Sequence, residues 1–301
     1  MGRVQTLIGL ALLATLSLGG CGVKTDPAVV LDRVSQAMSL TKQAAFVGQF
    51  NLSGDPEHNL FEGLSELSVR FEGRADLASL NGLQYLISLL VNGSSAEGST
   101  RIGAEVRSFP DYNYFRITDV AIPLDLPFAL TTDNKWYKVK RSSDSGANVL
   151  GSNPRLISDE EWEQVRGLIG SSRLFLTDQL LPDETVNGTR SYHLKVIIDR
   201  FALVGFLDQL DAITRGKLQL DRAAWMKLVD GYNYDLWITK RGYRLTRLKV
   251  AGTYIGDELR QVDFDLSLNL TNFDTPVEVT RPSEVEDFSL QRLFGLPLGN
   301  L

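Results

Sequence analysis

The longest unbroken alternation in the chain is Val262-Asp263-Phe264-Asp265-Leu266-Ser267-Leu268-Asn269-Leu270, apolar at every even number and polar at every odd one. Side chains of a strand leave on opposite faces with a period of two, so this stretch predicts a strand with one dry and one wet face. The same period recurs over 46–52, 67–72 and, apart from Trp237, 232–238, and a turn at Lys240-Arg241-Gly242 leads from the last into a further strand over 245–254. Further strands are predicted over 84–91, ending at an Asn92-Gly93 turn, and near 100–109, 112–120 and 135–140. A hairpin at Val186-Asn187-Gly188-Thr189 leads into another strand over 191–198.

Between the strands the period changes to that of a helix. Val30, Val34, Ala37, Met38 and Thr41 share one face of a helix over 26–42, which Asp26 caps and Pro27 opens. Ser158-Asp159-Glu160-Glu161 has the spacing of a capping box and starts a helix through Trp162, Val165, Leu168 and Ile169. Asp199 caps a third helix to Ile213, whose apolar arc (Phe201, Leu203, Val204, Phe206, Leu207, Leu210, Ile213) is wider than a helix lying on a surface needs. A fourth over 221–230 presents Trp225, Leu228 and Val229, and a short last helix is predicted over 284–294. The polar stretch 142–154 reads as a loop.

Composition narrows the class. With 43% hydrophobic residues in 301, the chain has material for one large domain or two small ones. A formal charge of −6 argues against a nucleic-acid partner. The residues of chemistry are scarce. There are two histidines, His58 and His193, and one cysteine, which leaves no Cys/His zinc set. No Gly-x-Ser-x-Gly elbow or phosphate-cradling glycine loop is present. Asp263 and Asp265 share a strand face, which reads as a solvated outer surface rather than a metal site. No catalytic residue, metal or cofactor is assigned.

The beginning of the chain carries the one specific motif. Arg3 precedes an apolar run over 7–16, and Leu18-Gly19-Gly20-Cys21 follows it. A charged start, a short apolar core and small residues at a cut describe an export signal rather than a spanning helix. The Leu-Gly-Gly-Cys ending resembles the lipobox of bacterial lipoproteins, which implies cleavage before Cys21 and acylation of its sulfur. Gly2 with Thr6 also fits a myristoylation pattern, but the apolar run makes export the stronger reading. On this basis residues 1–20 are a signal peptide, 21–25 a short tether and 26–301 a single domain, placed in the cell envelope and held at a bacterial membrane through Cys21. Loss of the signal removes Arg3 and takes the formal charge to −7. No free thiol then remains, and the domain stands without disulfides.

A lipobox, then a helix, meandering strands with Lys135-Trp136-Tyr137 in a middle one, helices, and long strands ending in Thr275-Pro276-Val277 resemble the lipoproteins of the LppX/LprG type and, more distantly, the LolA/LolB carriers. That resemblance implies an α+β fold: a curved antiparallel half-barrel with helices covering its concave face, and lipid chains in the gap. The inward residues it implies are Leu67, Val69, Phe71, Val262, Phe264, Leu266 and Leu268, opposed by Phe206, Leu207 and Leu210 of the third helix. The expected function is a non-enzymatic lipoprotein that binds a lipid or acylated molecule for transfer or presentation at the membrane. Whether sheet and helix enclose an open space or pack as a filled core is left open by the sequence. In the second case the same fold is an interaction or sensor lipoprotein with a protein partner in the envelope, bound through its outer face or the 142–154 loop.

Overall fold

The computed structural model describes residues 25–54, 64–79, 83–95, 98–122, 134–140, 157–218, 220, 222–229, 232–255 and 261–288. Cys21, His58 and the 142–154 loop lie outside them. Among these residues are helices α1 (Pro27–Ser39), α2 (Asp159–Ser171), α3 (Arg200–Thr214) and α4 (Arg222–Val229). The strands are β1 (Gln43–Gly54), β2 (Leu64–Asp76), β3 (Gln84–Ser95), β4 (Gly98–Ser108), β5 (Tyr112–Ala121), β6 (Trp136–Lys140), β7 (Phe175–Val186), β8 (Thr189–Ile198), β9 (Tyr232–Thr239), β10 (Leu245–Ile255), β11 (Gln261–Thr271) and β12 (Val285–Asp287).

All twelve strands form one open sheet in the order β12-β6-β5-β4-β3-β2-β1-β11-β10-β9-β8-β7. Two meanders, β1 to β6 and β7 to β11, are fused where β1 pairs antiparallel with β11. That seam sets Phe46, Gly48, Phe50 and Leu52 directly opposite Leu270, Leu268, Leu266 and Phe264. Two alternating strands in this register put all their carbon on one face, and a slip of one residue would send it to water. The sheet is mixed rather than wholly antiparallel, because β12 runs parallel to β6.

The helices form where the caps predict. Asp26 accepts from the Ala28 amide, and Ser158 and Glu161 close their capping box, at 3.1 Å from the Glu161 amide to Ser158 Oγ and 2.7 Å from the Ser158 amide to Glu161 Oε2. Asp199 accepts from the amides of Phe201 and Ala202. Helix α1 lies on one end of the sheet. Its Val30, Leu31 and Val34 pack with Leu194, Val196, Leu236 and Ile238 of β8 and β9 into a sealed core. From there the helical layer continues: Arg166 of α2 donates to the Ser39 carbonyl at the end of α1, Trp162 of α2 donates to the Leu77 carbonyl beside β2, and Lys217, just past α3, binds Glu161.

Two local expectations are corrected. Asn92-Gly93 is not a turn but part of β3, opposite Ser68 and Leu67 on one side and Arg101 and Thr100 on the other. Two ladders hold the dipeptide extended. Residues 285–287 form β12 rather than a helix, because the outer edge of β6 offers unpaired backbone groups for them to meet. Residues 175–186, which carry no clean alternation, form the edge strand β7. Its register breaks twice, and an edge tolerates Pro182 there.

Candidate functional site

Residues opposite one another across the sheet fall into continuous apolar rows. At the level of Phe50 the row runs through Val69, Val91, Ile102 and Val120 in one direction and Leu266, Val250, Tyr234 and Val196 in the other. The next row contains Gly48, flanked by Phe71 and Leu268, and continues through Leu89 and Ala104. The opposite face of the same strands carries Gln49, Asn51, Ser68, Arg70, Glu72, Asp263, Asp265 and Ser267.

Glycine shapes the apolar face. Gly48 stands opposite Phe71, and Phe46 stands opposite Gly73. A Cβ on Gly48 would lie 2.2 Å from Phe71 Cζ, and one on Gly73 would lie 2.7 Å from Phe46 Cζ. Each ring therefore lies down across the bare backbone of the neighbouring strand, with the two ring centres 6.2 Å apart. Upright phenylalanines would fill the space above the strands. Rings laid flat leave it clear while still presenting carbon.

Burial divides this face in two. Under α1, Leu194 and Ile238 have no exposed surface and Val196 and Leu236 almost none. On β1, β2 and β3 the same face holds Phe46, Phe50, Leu67, Val69, Phe71, Leu89 and Val91, every one of them only partly buried. The apolar floor thus extends well beyond the part that α1 covers. Burial in the row under the helix pushes the Tyr234 hydroxyl up to about 12, with the neighbouring Tyr232 adding to the effect.

The seven sheet residues singled out from the sequence all belong to this face. Leu67, Val69 and Phe71 alternate along β2, and Val262, Phe264, Leu266 and Leu268 along β11, with β1 between the two strands. Phe264 packs against Phe50 at 6.4 Å and edge-on against Tyr232 at 4.6 Å. Val262 is almost wholly buried, and the other six are partly exposed. On α3, Leu207 is buried whereas Phe206 and Leu210 are partly exposed. Gly48, Gly73, Phe46 and Leu89 were missed. Their part depends on which residue of a distant strand lies opposite, and only the alternation of 46–52 hinted at it.

The outer face is polar and largely self-satisfied. His193 of β8 lies between two carboxylates, Nδ1 at 2.8 Å from Glu184 and Nε2 at 2.9 Å from Asp235, and stacks on Trp237 at 4.1 Å. The Trp237 indole donates to Glu184 at 3.0 Å, and this bond, working against partial burial and helped by His193, holds the Glu184 carboxyl below its usual range. Both ring nitrogens are thus engaged by carboxylates. Elsewhere on this face Arg107 and Arg116 both grip Glu105 and both stack on Trp136, at 4.5 and 4.9 Å. Burial acts to raise the Glu105 carboxyl, but the hydrogen bonds and charge of Arg116 and Arg107 outweigh it and keep it low. A crevice of about 490 Å³ also opens chiefly on this face, where Arg70, Glu72, Gln49 and Asn269 border Val47 and Leu90. Among the described residues no three His, Cys, Asp or Glu side chains are grouped to hold a metal ion.

No protein-family profile matches the chain, and no curated protein does. Among solved structures it is similar to the lipoprotein LppX of Mycobacterium tuberculosis, at 14% identity over 85% of this chain and 100% of that one, with a TM-score of 0.37. It is also similar to a DUF1329 family protein from Desulfovibrio piger, at 12% identity over 84% and 96% with a TM-score of 0.24. A third is a domain from Vibrio parahaemolyticus named for outer membrane lipoprotein sorting, at 13% identity over 82% and 93% with a TM-score of 0.22.

Proposed function

We propose that this protein is a lipid-anchored, non-enzymatic envelope lipoprotein that binds a lipid or acylated molecule on the apolar face of its sheet. In this reading the sheet curves as a half-barrel, and the helical layer closes over the hydrocarbon. The observation that carries it is the half-buried apolar floor of β1, β2 and β3, lowered by the paired glycines and phenylalanines. Driving force is not lacking. An acyl chain of about fifteen methylenes gains roughly 12 kcal/mol gross on leaving water, against an association cost of about 4–15 kcal/mol. One chain is therefore held marginally and two chains firmly, which favours a multiply acylated ligand.

A charged group on the floor tests the reading. Val69→Asp is expected to lower the affinity for a fluorescent fatty acid by about 10-fold or more, since the carboxylate is desolvated when the chain binds. Arg70→Asp, one residue on and facing the other way, is expected to leave it unchanged. Thermal melts of both variants establish that they fold. Equal affinities in two folded variants would refute binding on this face.

A second reading has its own support. The crevice around Arg70 and Glu72 is on the polar face, and Val47 beside it is 54% exposed. It suits a protein partner, with the apolar face as ordinary core. Under that reading Arg70→Asp, not Val69→Asp, abolishes function.

A further inference from the structure

Thr25 is the first described residue, and it stands at one corner of the sheet, with its Oγ1 3.2 Å from the Tyr192 hydroxyl of β8. Four peptide steps separate it from Cys21, at most about 14 Å of extended chain at roughly 3.5 Å per residue. An anchor at Cys21, the part of the proposed function on which this inference rests, brings this corner to the bilayer and keeps the far strand ends away.

The corner differs in character from the rest of an acidic chain. Tyr192 and Tyr243 stack with their ring centres 6.4 Å apart. Arg33 donates to the Tyr243 hydroxyl at 2.7 Å and lies over its ring, and Lys240 lies over Tyr192. Arg190 sits beside them through the bond from the Lys240 amide to its carbonyl. Arg241 projects from the β9–β10 turn, exposed and without an acidic partner among the described residues. That turn is rigid: Gly242 and Tyr243 take positive φ, and Thr239 Oγ1 accepts from the Arg244 amide and donates to the Arg241 carbonyl. Against these four cations stand Asp183, which Lys240 and Arg190 share, the helix cap Asp26, and Glu184 beside Asp183, which His193 and Trp237 engage.

We propose that this corner is a membrane seat, in which Arg33, Arg190, Lys240 and Arg241 meet anionic phospholipid headgroups while Tyr192 and Tyr243 sit at the interfacial level. Tyrosine is enriched at that depth because it has an apolar body and a polar tip. Each cation at an anionic surface favours the docked state by roughly fivefold. A single tether would let the domain turn freely. A seat beside it fixes one orientation, and with it the side from which a ligand enters or leaves.

Cys21 is the chain's sole cysteine, so in the acylated protein an introduced cysteine is uniquely labelled. Full-length protein with Arg241→Cys, which leaves Arg33, Arg190 and Lys240 as the cations of the seat, or with Thr253→Cys is labelled with a fluorophore and reconstituted in phosphatidylcholine vesicles, with or without phosphatidylglycerol. Thr253 lies about 27 Å along β10 from the turn, at roughly 3.4 Å per residue. Quenching by headgroup-labelled lipid is expected to be about fivefold stronger at 241 than at 253 in the anionic vesicles, and to fall with added salt or with Arg33→Glu. Equal quenching at both positions, or the same quenching in neutral vesicles, overturns the seat. Intact mass separates the failures. An unacylated chain removes anchor and seat together, whereas an acylated chain with a silent label at 241 removes the seat alone.

Discussion

Gly48 is the residue on which the floor depends most directly. With Phe71 Cζ only 2.2 Å from where a Cβ would stand, Gly48→Ala forces the ring upright. The expected cost is about 1–3 kcal/mol in denaturant melts, together with weaker binding of the fatty-acid probe. Unchanged stability would mean that the ring moves aside freely. On the other face Glu105 gives a test against pH. Its folded carboxyl is held below the unfolded value, so its contribution is complete above the unfolded glutamate range and is lost as pH falls through the lowered folded value. Wild type is expected to exceed Glu105→Gln by about 2 kcal/mol at neutral pH, since the substitution leaves two arginines underpaired, and the gap is expected to narrow in acid. At this scale the sequence told which side chains are apolar but not which glycine faces which phenylalanine. Gly48 and Phe71 meet only because β1 and β2 pair in one particular register, and residues 55–63 between them lie outside the described structure.

Elements were legible where the local signal is covalent or periodic. Asp26-Pro27, the capping box at Ser158 and the cap at Asp199 each start a helix where they stand, and β11 follows its alternation along its whole length. Ser158→Ala is expected to cost about 1 kcal/mol. It also frees the Glu161 amide, while Lys217 keeps its 2.8 Å bond to the carboxylate. A melt unchanged by that substitution would show that packing, not the cap, sets where α2 begins. Elements were illegible where tertiary pairing decided. Asn92-Gly93 is a strong turn dipeptide held straight by neighbours on both sides, and 285–287 is a strand only because β6 has an edge to share.

For the whole molecule, the decisive fact is one apolar sheet face with two kinds of cover. The end under α1 is an ordinary sealed core, and the middle is partly open carbon. The sequence placed the seven sheet residues on that face but left open whether the space above them is filled, because a filled core and a lipid cavity demand the same alternation. A native mass spectrum of the full-length protein, released gently from membranes, tests the central claim most directly. The account predicts a mass above that of the acylated chain alone, shed on activation as a species with hydrocarbon tails and reduced in Val69→Asp. A spectrum with the acylated chain and nothing bound, from wild type and variant alike, would contradict it.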